Sequence, residues 1–168
     1  MKSVLISIRP QWTEKIVKRI KTIEVRKSAP KEVPFKCYIY MTATKERCRL
    51  WEYITAYQNS MGDIVDGSQK VIGEFICDKV EKLEEHIEQG GLYYTLAEGF
   101  NEQAQLDNWE LYDYGKGKTI YGWHISDLKI YDKPRNLSEF GKVGFGHEVP
   151  LKRPPQSWMY VEDLGEVR

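Results

Sequence analysis

Hydrophobic and polar positions alternate with period two in several short stretches, and each predicts a strand. Val4, Ile6 and Ile8 fall on one face of an extended segment over 4–8, with Leu5, Ser7 and Arg9 on the other. Pro10 stops that strand and suits the first turn of a helix. Trp12, Ile16 and either Arg19 or Ile20 then recur at helical spacing, which predicts a short amphipathic helix over 11–19. Residues 22–27 return to alternation, with Ile23 and Val25 on one face and Thr22, Glu24 and Arg26 on the other.

Further strands are expected over 36–41, 71–80, 119–125, 127–131 and 158–161, all rich in β-formers. Gly73 inside a strand predicts a bulge or the close approach of a neighbouring backbone. Residues 45–57 have a helical pattern, 59–69 the composition of a loop, and 81–88 an acidic run ending in a short helix before Gly90 and Gly91. A helix is expected over 101–113 and a single helical turn over 137–140. About six short strands with interspersed small helices predict an α+β domain built round a small β-barrel. At 168 residues the chain is read as one domain over 1–168, with 44–69 as an insertion between two good strands.

Composition adds exclusions. No apolar run is long enough to span a membrane, and the N-terminus lacks the pattern of a secretory signal. Cys37, Cys48 and Cys77 are odd in number and widely spaced, and His86, His124 and His147 do not cluster with them. This predicts no disulfide scaffold, no metal centre and no cofactor, and a reducing, cytoplasmic location.

Net charge is zero but unevenly placed. Residues 1–50 carry +9, 51–112 carry −10 and 113–168 carry +1. A basic N-terminal third can face phosphates although the whole molecule is neutral; the plainer alternative is that the basic and acidic segments neutralise each other in the fold.

The densest charge lies at Lys21-Thr22-Ile23-Glu24-Val25-Arg26. Glu24 and Arg26 point the same way from a strand, and Lys21 sits at the helix–strand corner. Two cations and one anion in a concave site bind a phosphate or a base edge. In a dry cleft Arg26 would depress the proton affinity of Lys21 and make it a usable base or nucleophile. Arg9 either contacts phosphate or pairs with Glu24. Trp12 either stacks a base or caps the end of the barrel. Tyr38 and Tyr40 share a face that is a stacking platform or core lining.

This run resembles the signature of the ASCH family, part of the PUA-like superfamily, written G-x-K-x-x-E-x-R. Lys21, Glu24 and Arg26 fall on its K, E and R, while Arg19 stands where the pattern has Gly. Ser7-Ile8-Arg9-Pro10-Gln11-Trp12 resembles the entry of phage and bacterial members, and Trp123-His124-Ile125-Ser126-Asp127-Leu128 with Tyr131-Asp132-Lys133-Pro134 is also similar to the family. The resemblance covers most of residues 3–161. It implies a β-barrel with a cleft beside the helix after the first strand, lined by Lys21, Glu24 and Arg26, and a protein that binds RNA, a nucleotide or a nucleoside through Arg9, Trp12, Lys21, Glu24 and Arg26. Some small relatives are amidohydrolases on N4-acylated cytidine, using a lysine, a threonine and a glutamate, and ribonuclease activity also occurs in the family. Under that alternative Lys21 and Glu24 are catalytic. Glu24 stands where those amidohydrolases carry their threonine, however, and Glu74, Glu84, Glu85 and Glu88 all remain open for the catalytic acid. A protein-interaction module using 44–69 and the acidic middle is the third reading.

Overall fold

The computed structural model describes residues 1–44, 55–145 and 149–165. Its largest sheet is formed by β1 (Lys2–Ile8), β3 (Phe35–Met41), β6 (Lys70–Cys77), β11 (Ser126–Asn136) and β12 (Trp158–Val161), in the order β11-β6-β3-β1-β12. The second sheet is formed by β2 (Ile23–Arg26), β7 (Val80–Leu83) and β10 (Ile120–His124), in the order β2-β10-β7. Two hairpins, β4 (Ala56–Gln58) with β5 (Ile64–Asp66) and β8 (Glu85–Glu88) with β9 (Gly91–Tyr94), and helices α1 (Pro10–Val17), α2 (Phe100–Ala104) and α3 (Asn108–Gly115) complete the regular structure of the described residues, with one 3-10 turn at Leu137–Glu139.

The alternation of β1 is explained by burial on both faces. Val4, Ile6 and Ile8 join Phe35, Cys37, Ile39 and Phe75 in the principal core between the sheets. Leu5 joins Tyr38, Tyr40, Tyr131 and Phe140 in a second cluster behind the large sheet. Tyr38 and Tyr40 are therefore core lining. Ile23 and Val25 face away from the principal core into a third cluster, packed on Phe100, Ala104 and Leu111 of α2 and α3.

The expected six-stranded barrel does not close. Among the described residues the strands form two open sheets, joined where the chain leaves β6 for β7 and β10 for β11. His124 donates from its amide to the Lys79 carbonyl at 3.0 Å at this junction, and Ile125 to the Thr22 carbonyl at 2.9 Å. Both segments turn the corner together, so the pairing passes from β10–β7 into β11–β6 there, and the ring stays open because β2 and β12, the outer strands of the two sheets, do not pair with each other.

Three local expectations are corrected. Residues 81–88 are extended, because Leu83 is buried opposite Ile120 and tertiary pairing overrides the helical bias of the glutamates. The turn after them is Gln89-Gly90, both at positive φ (49° and 78°), which is the two-residue turn that suits a tight hairpin. Residues 59–69 contain a hairpin strand, with Asn59 Oδ1 accepting from the amides of Met61 and Asp63 at its turn. The helix expected over 101–113 is two helices. Gln105 turns left-handed at φ 56°, and Asp107 restarts the chain with a capping box to Glu110. The helix expected over 45–57 lies largely outside the described residues.

Candidate functional site

The corner after α1 sets the site. Helix α1 begins with Pro10 at its first position and ends in a left-handed turn at Arg19, φ 59°. Ile20 donates from its amide to the Lys15 carbonyl at 2.9 Å, and Arg19 to the Ile16 carbonyl at 2.8 Å. These two bonds form a Schellman cap, whose left-handed residue is ordinarily Gly. The arginine at the signature's glycine position thus keeps the conformation that glycine favours. The cap turns the chain back along the helix, and the Lys21 amide also reaches the Lys15 carbonyl at 3.1 Å.

From there Lys21 points inward. Its side chain is only 2 % exposed, and Nζ donates to the Ala104 carbonyl at the end of α2 at 2.5 Å. Glu24 is also buried, with Oε2 at 3.5 Å from Lys21 Nζ and Oε1 at 3.0 Å from Arg26 Nη2. Arg26 crosses to the large sheet and donates from Nη2 to the Ser7 carbonyl at 2.8 Å. The three residues that alternation and the chain corner singled out therefore form one row of alternating charge, cation–anion–cation, between the two sheets.

Burial lowers the proton affinity of Lys21 below that of an ordinary lysine. Glu24 opposes that effect, while Arg26 and Lys15 add to it. Glu24 Oε2 has only the 3.5 Å ion pair to Lys21 Nζ, and Arg26 Nε and Trp123 Nε1 have no hydrogen-bond partner among the described residues. Trp123 lies opposite Glu24 in the β2–β10 ladder, and Tyr121 opposite Arg26. Buried polar atoms are nearly always paired, with protein or with an ordered water, so Arg26 Nε and Trp123 Nε1 mark where a water or a polar ligand atom fits beside the row.

Aromatic rings surround the row. Lys21 and Lys15 each place Nζ 5.2 Å from the centroid of the Trp12 ring, which is half-buried against the principal core. Trp123 and Trp158 meet edge to face at 5.6 Å, and Trp158 and Tyr160 at 5.4 Å. Trp158 Nε1 donates to Ser28 Oγ at 3.0 Å. Tyr114 of α3 is half-buried; desolvation raises its pKa, with Arg26 and Glu24 both near enough to act on it. Its ring also carries Lys27 Nζ at 5.1 Å. Tyr114, Tyr121, Trp158 and Tyr160 carry no local signal that places them here. They arrive from α3, β10 and β12 through sheet pairing and helix packing.

Arg9 does not join the row. It is exposed at the N-cap of α1 and forms no ion pair among the described residues, so the expected Arg9–Glu24 pair is replaced by Arg26–Glu24. The open candidates for a second carboxylate are elsewhere. Glu74 accepts from the Tyr131 hydroxyl at 2.5 Å on the far face of the large sheet, and Glu84, Glu85 and Glu88 are exposed around the β8–β9 hairpin. Among the described residues no group of three or more His, Cys, Asp or Glu side chains converges as metal ligands would. His124 instead shares a hydrogen bond with Glu81 at 2.6 Å at the sheet junction.

Two open sheets, three short helices and a buried charge row beside the helix that follows the first strand define an α+β protein with the ASCH-type fold. The chain is similar to the crystal structure of ASCH from Zymomonas mobilis, at 20 % identity and TM-score 0.59 over 96 % of this chain and 88 % of that one. Two substitution variants of that protein, one Tyr to Phe and one Ser to Ala, match at 19 % identity with TM-scores of 0.59 and 0.60, over 91 % and 89 % of their lengths. No protein-family model and no curated protein matches the sequence. At this identity the likeness establishes the fold. No helix among the described residues is long and apolar enough to cross a membrane.

Proposed function

We propose that this chain binds RNA or a nucleotide in the cleft beside Lys21, Glu24 and Arg26. The observation that carries the reading is the buried Lys21–Glu24–Arg26 charge row, beside which Arg26 Nε and Trp123 Nε1 have no hydrogen-bond partner among the described residues, within an aromatic surround. Glu24 accepts from an exocyclic amine, Arg26 donates to a base edge, and the rings of Trp12 and Trp158 offer apolar faces to a base. Lys15, Lys18, Arg19 and Arg9, on and around α1, supply positive charge at the entrance for phosphates. One domain over 1–168 carries the site, with 44–69 as an insertion in the sequence. The reduced, buried thiols of Cys37 and Cys77 suit a cytoplasmic protein.

The test is fluorescence anisotropy with single-stranded RNA oligonucleotides, and calorimetry with free nucleotides, on the wild type, Lys21→Met and Trp12→Ala. Circular dichroism checks that the variants fold. Binding should weaken in both variants, and RNA binding should fall steeply with salt. Absence of binding to every RNA and nucleotide, or RNA binding indifferent to salt and to both variants, rejects the reading.

A second reading, an enzyme in the same cleft, is favoured by one observation: burial lowers the proton affinity of Lys21, the direction that a lysine base or nucleophile needs. The substrates are N4-acylated cytidine or an RNA strand. Turnover of N4-acetylcytidine or RNA that disappears in Lys21→Met supports it, and intact substrate after incubation with the wild type removes it.

A further inference from the structure

A second surface, remote in character from the charge row, is built from α3 and the β8–β9 hairpin. Residues 83–115 carry eight carboxylates and no Lys or Arg, and all eight are exposed. Within this acidic field large apolar side chains stand in solvent. Trp109 is 71 % exposed, Ile87 79 % and Tyr93 46 %. They are not scattered. The rings of Trp109 and Tyr112 lie one helical turn apart with centroids at 6.0 Å, inclined by 34°. His86 and Tyr93 face each other across the hairpin with ring centroids also at 6.0 Å. Between the two ring pairs runs a shallow cleft lined by Leu92, Tyr93, Tyr94, Asn108, Leu111 and Tyr112.

The hairpin and α3 are tied to one another. The capping box at Asp107 and Glu110 fixes the start of α3. The Tyr94 hydroxyl donates to the Lys118 carbonyl at 2.6 Å and ties the hairpin to the end of α3. Leu111 and Tyr94 are buried beneath the cleft, so the exposed rings are the outer layer of a packed unit. Trp109 and Ile87 leave most of their surface outside that packing, and contiguous exposed apolar surface is uncommon unless something covers it.

Charge decides what covers it. Nucleic acid and anionic lipid are repelled by eight carboxylates. Glu84 and Asp113 are partly neutralised by Lys82 and Lys116 at the two margins, which leaves Glu85, Glu88, Glu98, Glu102, Asp107 and Glu110 without a Lys or Arg partner among the ion pairs of the described residues. We propose that this face is a docking site for an arginine-rich segment of a partner protein. The guanidinium groups stack on Trp109, Tyr112 and Tyr93 while the surrounding carboxylates accept from them. Arginine suits the site better than lysine because its planar, weakly hydrated cation stacks on aromatic faces. The acidic face also lies in the same chain as a basic entrance to the nucleic-acid cleft, so the two proposed ligands have opposite charge and do not compete for one surface.

The experiment uses a nona-arginine peptide, a nona-lysine peptide and a nona-glutamate control with the full chain at physiological salt. Titrations are followed by calorimetry and by amide chemical shifts. The wild type should bind nona-arginine, more tightly than nona-lysine, with shifts concentrated in 86–94 and 108–113. The double variant Trp109→Ala/Tyr112→Ala, which keeps every carboxylate, should bind it about tenfold more weakly. Both positions are exposed, and circular dichroism checks that the variant folds. Equal affinity in wild type and variant would reduce the effect to general attraction between polyelectrolytes and overturn the proposal. It is equally overturned if the shifts map elsewhere, or if the wild type binds no peptide and instead self-associates through Trp109.

Discussion

Arg26 joins the two sheets: its Nη2 donates to the Ser7 carbonyl of β1 at 2.8 Å while the same nitrogen pairs with Glu24 Oε1 of β2 at 3.0 Å. A single guanidinium thus shares with Lys21 in neutralising the buried carboxylate and links β2 to β1. Replacing Arg26 by Met leaves Glu24 buried with Lys21 alone and removes the link to β1. Loss of one partner from a buried charge pair costs about 3–5 kcal/mol. Arg26→Lys keeps the charge but not the fork, and should fall between the wild type and Arg26→Met. Urea unfolding of the three proteins checks the order; an unperturbed midpoint in Arg26→Met contradicts it.

The Schellman cap at Arg19 predicts a gain from a substitution. A residue other than glycine in the left-handed region is strained by about 1 kcal/mol. Arg19→Gly removes that strain. It also gives up the exposed hydrogen bond from Nη2 to the Leu128 carbonyl at 3.2 Å, a small term at a solvated site. The expected result is a stabilisation of up to about 1 kcal/mol, read as a higher thermal midpoint. Arg19→Ala keeps the strain and loses the bond, and should be less stable than the wild type.

Gly73 is required by a backbone rather than by a turn. A Cβ there would lie 2.4 Å from the Lys129 carbonyl oxygen and 3.1 Å from Ile130 Cα. Neither is the end of a flexible side chain, so β6 and β11 would have to separate. Gly73→Ala should cost about 1–3 kcal/mol and raise amide exchange along β11 before other strands. Unchanged exchange in β11 would mean that the pairing is looser than the structure describes.

Lys21 gives a pH dependence with a definite sign. Burial lowers its folded pKa below the ordinary 10.5, so between the folded value and 10.5 the unfolded chain binds the extra proton. Stability from this group therefore rises as pH increases through that window, because the penalty for burying the charge is progressively relieved. Lys21→Met carries no such penalty and no such relief. Its stability relative to the wild type should fall as pH is raised from 7 towards 10.5, measured by denaturant midpoints at each pH. A constant difference would show that Lys21 titrates as an ordinary lysine.

Much of the site is legible in the sequence. Alternation puts Glu24 and Arg26 on one side of β2, and Pro10 with the helical spacing of Trp12 and Ile16 places α1 ahead of it. Gly73 announces a close backbone approach, and one is present. The failures have two causes. The glutamates of 81–88 have a weak intrinsic preference that loses to the pairing of Leu83 with Ile120. The helix break at Gln105 and the capping box at Asp107 are written in the sequence as Asp-x-x-Glu, but apolar spacing across 101–113 conceals them.

Side-chain periodicity and turn chemistry act over a few residues. They suffice to place β1, α1 and β2 and to set Lys21, Glu24 and Arg26 at one corner. Long-range packing settles the rest: the strands form two open sheets instead of a closed barrel, Arg26 rather than Arg9 pairs with Glu24, and Ala104, Ser7 and Trp123 meet the charge row. Those contacts join positions far apart in the chain, and no local pattern encodes the order in which strands meet.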